Sequence, residues 1–146
     1  MYNAYKKMSL LILLANSPFI LPSDMMHESI LEENIKQARQ QLMDYGLIHC
    51  LNDIDPQESK LKSDLTHYAG AFHYFTNGRH KIIQNEETFE NTHDPYRVIA
   101  DYFTKNKVAH LNTYKHHAIV ESSACFKIYH SQEFKELIDS QDQYID

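Results

Sequence analysis

Leu31, Ile35, Ala38 and Leu42 recur at steps of four and three, and Met43, Leu47, Cys50 and Ile54 carry the stripe onward, slightly rotated. That is the period of an α-helix with one apolar face. A long helix is therefore expected from Ile30 to Ile54, with Cys50 on its core side. Gly46 lies inside it, where glycine costs about 1 kcal/mol relative to alanine; a close helix crossing would account for its presence. The whole chain holds only 3 Gly and 4 Pro. So few breakers favour helices over a many-turned all-β fold.

The same signals run on. Asp55-Pro56-Gln57-Glu58 reads as a helix start, with Asp55 as cap, Pro56 in the first turn and Glu58 as capping-box acid. Leu61, Leu65, Tyr68, Phe72 and Phe75 then step by four and three, the cleanest periodicity in the chain. Ala69-Gly70-Ala71 permits tight packing in the middle of this helix, and Gly78 offers a stop. Residues 79–93, RHKIIQNEETFENTH, have weak periodicity and suggest at most a short helix. Asp94-Pro95 is a second cap-plus-proline start, followed by Tyr96, Ile99 and Phe103 on one face, with Val98 and Tyr102 beside it. Residues 104–117 read as a polar connector or extended segment. Ala118 to Tyr129 reads as a helix through Ile119, Ala124, Cys125 and Ile128. Ser131 then caps a last short helix carrying Phe134, Leu137 and Ile138. No internal repeat, low-complexity tract or linker divides the chain. The expected architecture is all-α: one compact bundle of about five helices over residues 24–146.

The first 23 residues differ in kind. Lys6 and Lys7 precede the apolar run MSLLILLA and then NSPFILPS. A basic start, a short apolar stretch and a helix-breaking segment are the layout of a secretory signal peptide, the alternative being an N-terminal helix packed on the core, and the run is too short for a comfortable membrane span. Leu21 and Ser23 fall at the −3 and −1 positions of cleavage after residue 23, where the small-x-small pattern is half met. Export brings meaning to Cys50 and Cys125, the 2 cysteines of the chain. An even count in an exported protein reads as a disulfide; the alternative is two buried free thiols.

Composition excludes several functions. The formal charge is −6, and losing Lys6 and Lys7 with the leader deepens it to −8. Nucleic-acid binding needs clustered Lys and Arg, so an acidic chain suits a basic protein partner, or simply solubility, instead. Cys125 and His130 suggest a thiol nucleophile and its base, but residues five apart on a helix do not face one another, and only Lys127 is near enough to lower the thiol pKa. His110, His116 and His117 cluster, with His67 and His73 elsewhere, yet none forms an HExxH or Cys/His zinc pattern. No Gly-rich phosphate loop or GxSxG elbow occurs. Neither catalytic residues, metal ligands nor a cofactor are assigned. The 10 Tyr and 7 Phe mostly follow helical spacing, and any left exposed would suit an interface.

Three stretches, LIHCL at the end of the first helix, HYAGAFHYF in the second, and the late ACFKIYHSQEFKELI, resemble the type VI secretion amidase-immunity family. The likeness follows the order of elements over residues 30–140 and is most specific from Cys125 to Leu137. It implies a periplasmic antitoxin, commonly a homodimer, that binds a cognate peptidoglycan amidase effector and blocks its active site. Cys50 and Cys125 match the family's cysteine pair, and Tyr129, His130, Ser131 and Glu133 its late motif, as a structural element and not a reactive centre. Phe134 stands where the family has Leu, and the acidic segment before Asp94 is long. Gln84–His93, with Glu86, Glu87 and Glu90, is the candidate contact with the partner, the alternative being a merely solvated loop. The rival readings are a helical periplasmic protein that binds a metal or small ligand, or an adaptor without a toxin partner.

Overall fold

The computed structural model describes residues 23–54, 56–74, 78–113 and 119–146, with side chains from residue 26. The expected leader, Asp55, Phe75, His116 and His117 fall outside them, apart from Ser23, which is helical. Five α-helices and a two-stranded hairpin make up the regular structure of the described residues: α1 (Ser23–Asn52), α2 (Lys60–Ala71), β1 (Ile83–Gln84), β2 (Asn91–His93), α3 (Pro95–Asn106), α4 (Glu121–His130) and α5 (Gln132–Asp139). The all-α expectation holds.

The core is the place where α1, α3, α4 and α5 meet. Ala38, Leu42, Ile48 and Cys50 from α1 close on Tyr96, Ile99 and Phe103 from α3, on Cys125 and Ile128 from α4, and on Phe134 and Ile138 from α5. Gly46 marks the α1/α3 crossing. A Cβ there would lie 2.5 Å from both Ile99 Cγ2 and Phe103 Cε2, so only glycine lets the helices approach this closely. The disulfide joins Cys50 to Cys125 across a sequence separation of 75, with Cα atoms 5.8 Å apart, and ties α1 to α4.

α1 begins seven residues earlier than the expected Ile30, at Ser23, and ends two residues before the expected Ile54, at Asn52. Met, Glu and Leu are good helix formers in this early stretch, so it is helical although residues 26–33 are exposed. α2 starts at Lys60 and not at Pro56. Ser59 is its cap, extended in backbone, with a hydroxyl that accepts from the Lys62 N–H at 3.1 Å. The expected start at Asp55-Pro56 is therefore corrected to Ser59, a residue type that also favours the cap position.

Residues 79–93 form no helix. Ile83 pairs with His93 and Gln84 with Asn91, antiparallel and with a register shift between them. The reason is local: the Asn85 side chain accepts from the Glu87 and Thr88 N–H groups at 2.8 and 2.9 Å, a turn that competes with helical bonding. α3 runs on to Asn106, capped by Asp94, whose carboxylate accepts from Tyr96 and Arg97. A 3₁₀ turn, Val108–His110, follows it, so the connector begins later than expected. α4 begins at Glu121; Ile119, expected within it, is 62% exposed and bridges Thr113 instead.

Candidate functional site

Cys125 is fully buried and oxidised. A disulfide sulfur offers no thiolate, so the pairing of Cys125 with His130 is not a nucleophile and its base. His130 is exposed, with its ring edge-on to Tyr129 at 5.1 Å.

The other residues of the late motif do mechanical work. The Tyr129 hydroxyl donates to Asp44 Oδ1 at 3.0 Å and accepts from Gln40 Nε2 at 2.9 Å, a second tie between α4 and α1. Burial, with the Asp44 carboxylate adding to it, pushes its phenol pKa up. Ser131 caps α5 by accepting from the Phe134 N–H at 3.2 Å. Glu133 stands exposed in the first turn of α5, where a carboxylate suits the helix dipole.

Glu86, Glu87 and Glu90 lie together at the hairpin tip, and every residue from 81 to 92 is exposed. Between them Phe89 is 75% exposed and has a backbone φ of 56°. A bulky side chain in the left-handed region is strained. It is held there by the Phe89 N–H, which donates to Asn85 O, and by the Asn85 N–H, which donates to Glu90 O, both at 2.9 Å. The hairpin's base is anchored separately. His93 Nε2 meets Gln141 Oε1 at 2.8 Å, and its ring stacks on Tyr144 at 3.9 Å.

Beside this base lies His80, 3% exposed, with Nε2 unpaired among the described residues. Burial lowers its pKa to about 4, the Asp142 carboxylate opposing and the Arg39 guanidinium assisting. Arg39 itself holds Asp142 through two contacts and Asp139 at 2.9 Å, which joins α1 to the C-terminal segment.

Among the described residues the histidines do not converge on one point. His67 Nδ1 contacts Ser63 O at 2.7 Å on its own helix, and the His73 ring lies 4.4 Å from that of Tyr96. Among the described residues no three His, Cys, Asp or Glu side chains are placed to hold an ion.

A feature that sequence reasoning missed lies between α1 and α2. Tyr45, Ile48, His49, Asn52, Thr66, Ala69, Gly70 and His73 line an open cavity of about 270 Å³. His49 Nδ1 and Asn52 Oδ1, both covered, have no hydrogen-bond partner among the described residues. The available signal was Gly70, a helical glycine expected to permit tight packing. In fact a Cβ there would meet nothing within 4 Å.

These features define a disulfide-stapled helical domain with a protruding acidic hairpin and a small cavity on one flank. Comparison with protein-family models, with curated proteins and with solved structures finds no match. No described helix is long and apolar enough to cross a membrane, and the disulfide points to an oxidising compartment.

Proposed function

We propose that this protein is a periplasmic immunity protein that binds a cognate type VI secretion peptidoglycan amidase effector and occludes its active site. The observation that carries the reading is the hairpin tip, where Glu86, Glu87, Phe89 and Glu90 project together into solvent. An exposed aromatic ring on a strained backbone is costly for folding alone, and such strain collects where a surface meets a ligand. The acids around it would speed encounter with a basic toxin. The stapled body supports the same reading, because a rigid scaffold lowers the ordering cost of binding. The late motif from Cys125 to Leu137 supplies the likeness to the immunity family, and homodimerisation follows from that likeness.

The test is peptidoglycan cleavage by the amidase encoded beside this gene, with and without the purified, oxidised protein. Stoichiometric inhibition is expected. Replacing Glu86, Glu87 and Glu90 by Gln should slow association at low salt; an on-rate that stays the same removes the hairpin from the interface. Absence of both binding and inhibition by a folded, oxidised sample overturns the immunity reading.

A further inference from the structure

The apolar stripe that begins on α2 reaches the core only past the helix end, at Phe72. The helix itself has no fully buried residue; Leu61 is 68% and Tyr68 52% exposed. Its contact with α1 is incomplete, and the cavity at Tyr45, His49, Asn52, Gly70 and His73 is what that leaves. Gly70 keeps it open. Glycine weakens a helix, and no close approach requires one here, since a Cβ has no neighbour within 4 Å.

The polar groups in the wall restrict what fits. Asn52 Nδ2 donates to Thr66 Oγ1 at 3.1 Å, and Thr66 Oγ1 donates to Lys62 O at 2.8 Å. That chain orients the Asn52 amide and leaves Oδ1, an atom that only accepts, without a donor among the described residues. His49 Nδ1 is likewise unpaired and accepts in the tautomer protonated at Nε2. Leaving covered polar atoms unpaired costs free energy, which a ligand bearing N–H groups would recover after small rotations of these two half-buried side chains. Tyr45 and His73, edge to face at 6.1 Å, add aromatic surface. Ile48 and Ala69 add aliphatic surface suited to a methylene stem. The chain as a whole carries a charge of −6, which draws a cation.

We propose that this cavity is an arginine-binding site, which seats a single arginine side chain of a basic protein partner. The guanidinium would donate to His49 Nδ1 and Asn52 Oδ1 and lie against the aromatic rings, as its planar fork and weak hydration favour. The volume matches one side chain rather than a larger metabolite. The inference rests on the reading of this chain as a binder of a protein, but its test uses no amidase, so the two stand or fall separately.

The experiment is a two-dimensional amide NMR titration of the whole oxidised protein with N-acetyl-arginine amide. Saturable shifts are expected at His49, Asn52, Thr66 and Gly70. The citrulline analogue, with similar donors and no charge, should bind roughly two- to fivefold more weakly, and the leucine analogue should not saturate. Gly70→Leu should abolish the shifts while the urea midpoint does not fall. His49→Phe, which removes an acceptor while keeping an aromatic ring, should weaken binding and serves if Gly70→Leu fails to fold. Shifts spread over the acidic surface and reproduced by guanidinium chloride alone would overturn the proposal. So would the absence of saturable shifts, or shifts that survive in both variants.

Discussion

Two glycines in neighbouring helices make opposite demands. Gly46 touches Ile99 and Phe103 through the space a Cβ would fill, whereas Gly70 faces nothing. Gly46→Ala should therefore cost about 2 kcal/mol through overpacking, while Gly70→Ala should add about 1 kcal/mol of stability; urea unfolding of the two variants gives both signs in one experiment. His80 carries the clearest pH dependence. Its folded pKa is about 4, against an unfolded value near 6.5. Above pH ~6.5 the group is neutral in both states, and stability is fully present. As the pH falls toward ~4 the unfolded chain takes up a proton that the folded chain refuses, so stability is lost. His80→Gln should flatten the fall in urea midpoint across that window. At this scale the sequence was a partial guide: it flagged Gly46 as a crossing, but it gave Gly70 the same role, because spacing does not reveal what lies opposite a residue.

Among the elements, the caps were the most legible features. Asp94 and Ser131 act as their residue types and positions imply, and Ser131→Ala should lower stability by about 1 kcal/mol, read as a shift in thermal midpoint. α2 starts four residues later than its Asp-Pro signal implies, at Lys60 behind the Ser59 cap, because a serine hydroxyl caps a helix as readily as an aspartate. The hairpin was least legible. Its strands are two and three residues long, too short for alternation to register, and its turn depends on one Asn85 side chain. Phe89→Gly offers a sharp test of this element. Glycine relieves the positive φ, so stability should hold or rise by up to about 1 kcal/mol, while under the proposed immunity function inhibition of an amidase should weaken. A loss of stability instead would mark the ring as part of the fold.

At the scale of the whole molecule, the Cys50–Cys125 bond closes a long loop, and reducing it should cost about 4 kcal/mol in the chain-entropy picture. Against the usual margin of roughly 5–15 kcal/mol, that predicts a large drop in urea midpoint on adding reductant. The bond's existence was readable from two cysteines behind a leader-like segment, because an oxidising compartment pairs them. The helical class was readable too, from stripes of period 3.6 and a scarcity of breakers, since local sterics and one-sided apolarity act over a few residues. Which stripes end up covered was not readable. The most regular stripe in the chain runs along α2, where no side chain is fully buried, and reaches the core only at Phe72 in the 3₁₀ turn that follows, while Phe134 and Ile138 of the eight-residue α5 sit at the centre. Periodicity records that a helix has an apolar face; burial depends on whether another element arrives to cover it. That arrival is a long-range event, set here by the Gly46 crossing, the disulfide and the Arg39 and Tyr129 ties. The same event left the hairpin tip in solvent and the α1/α2 cavity open.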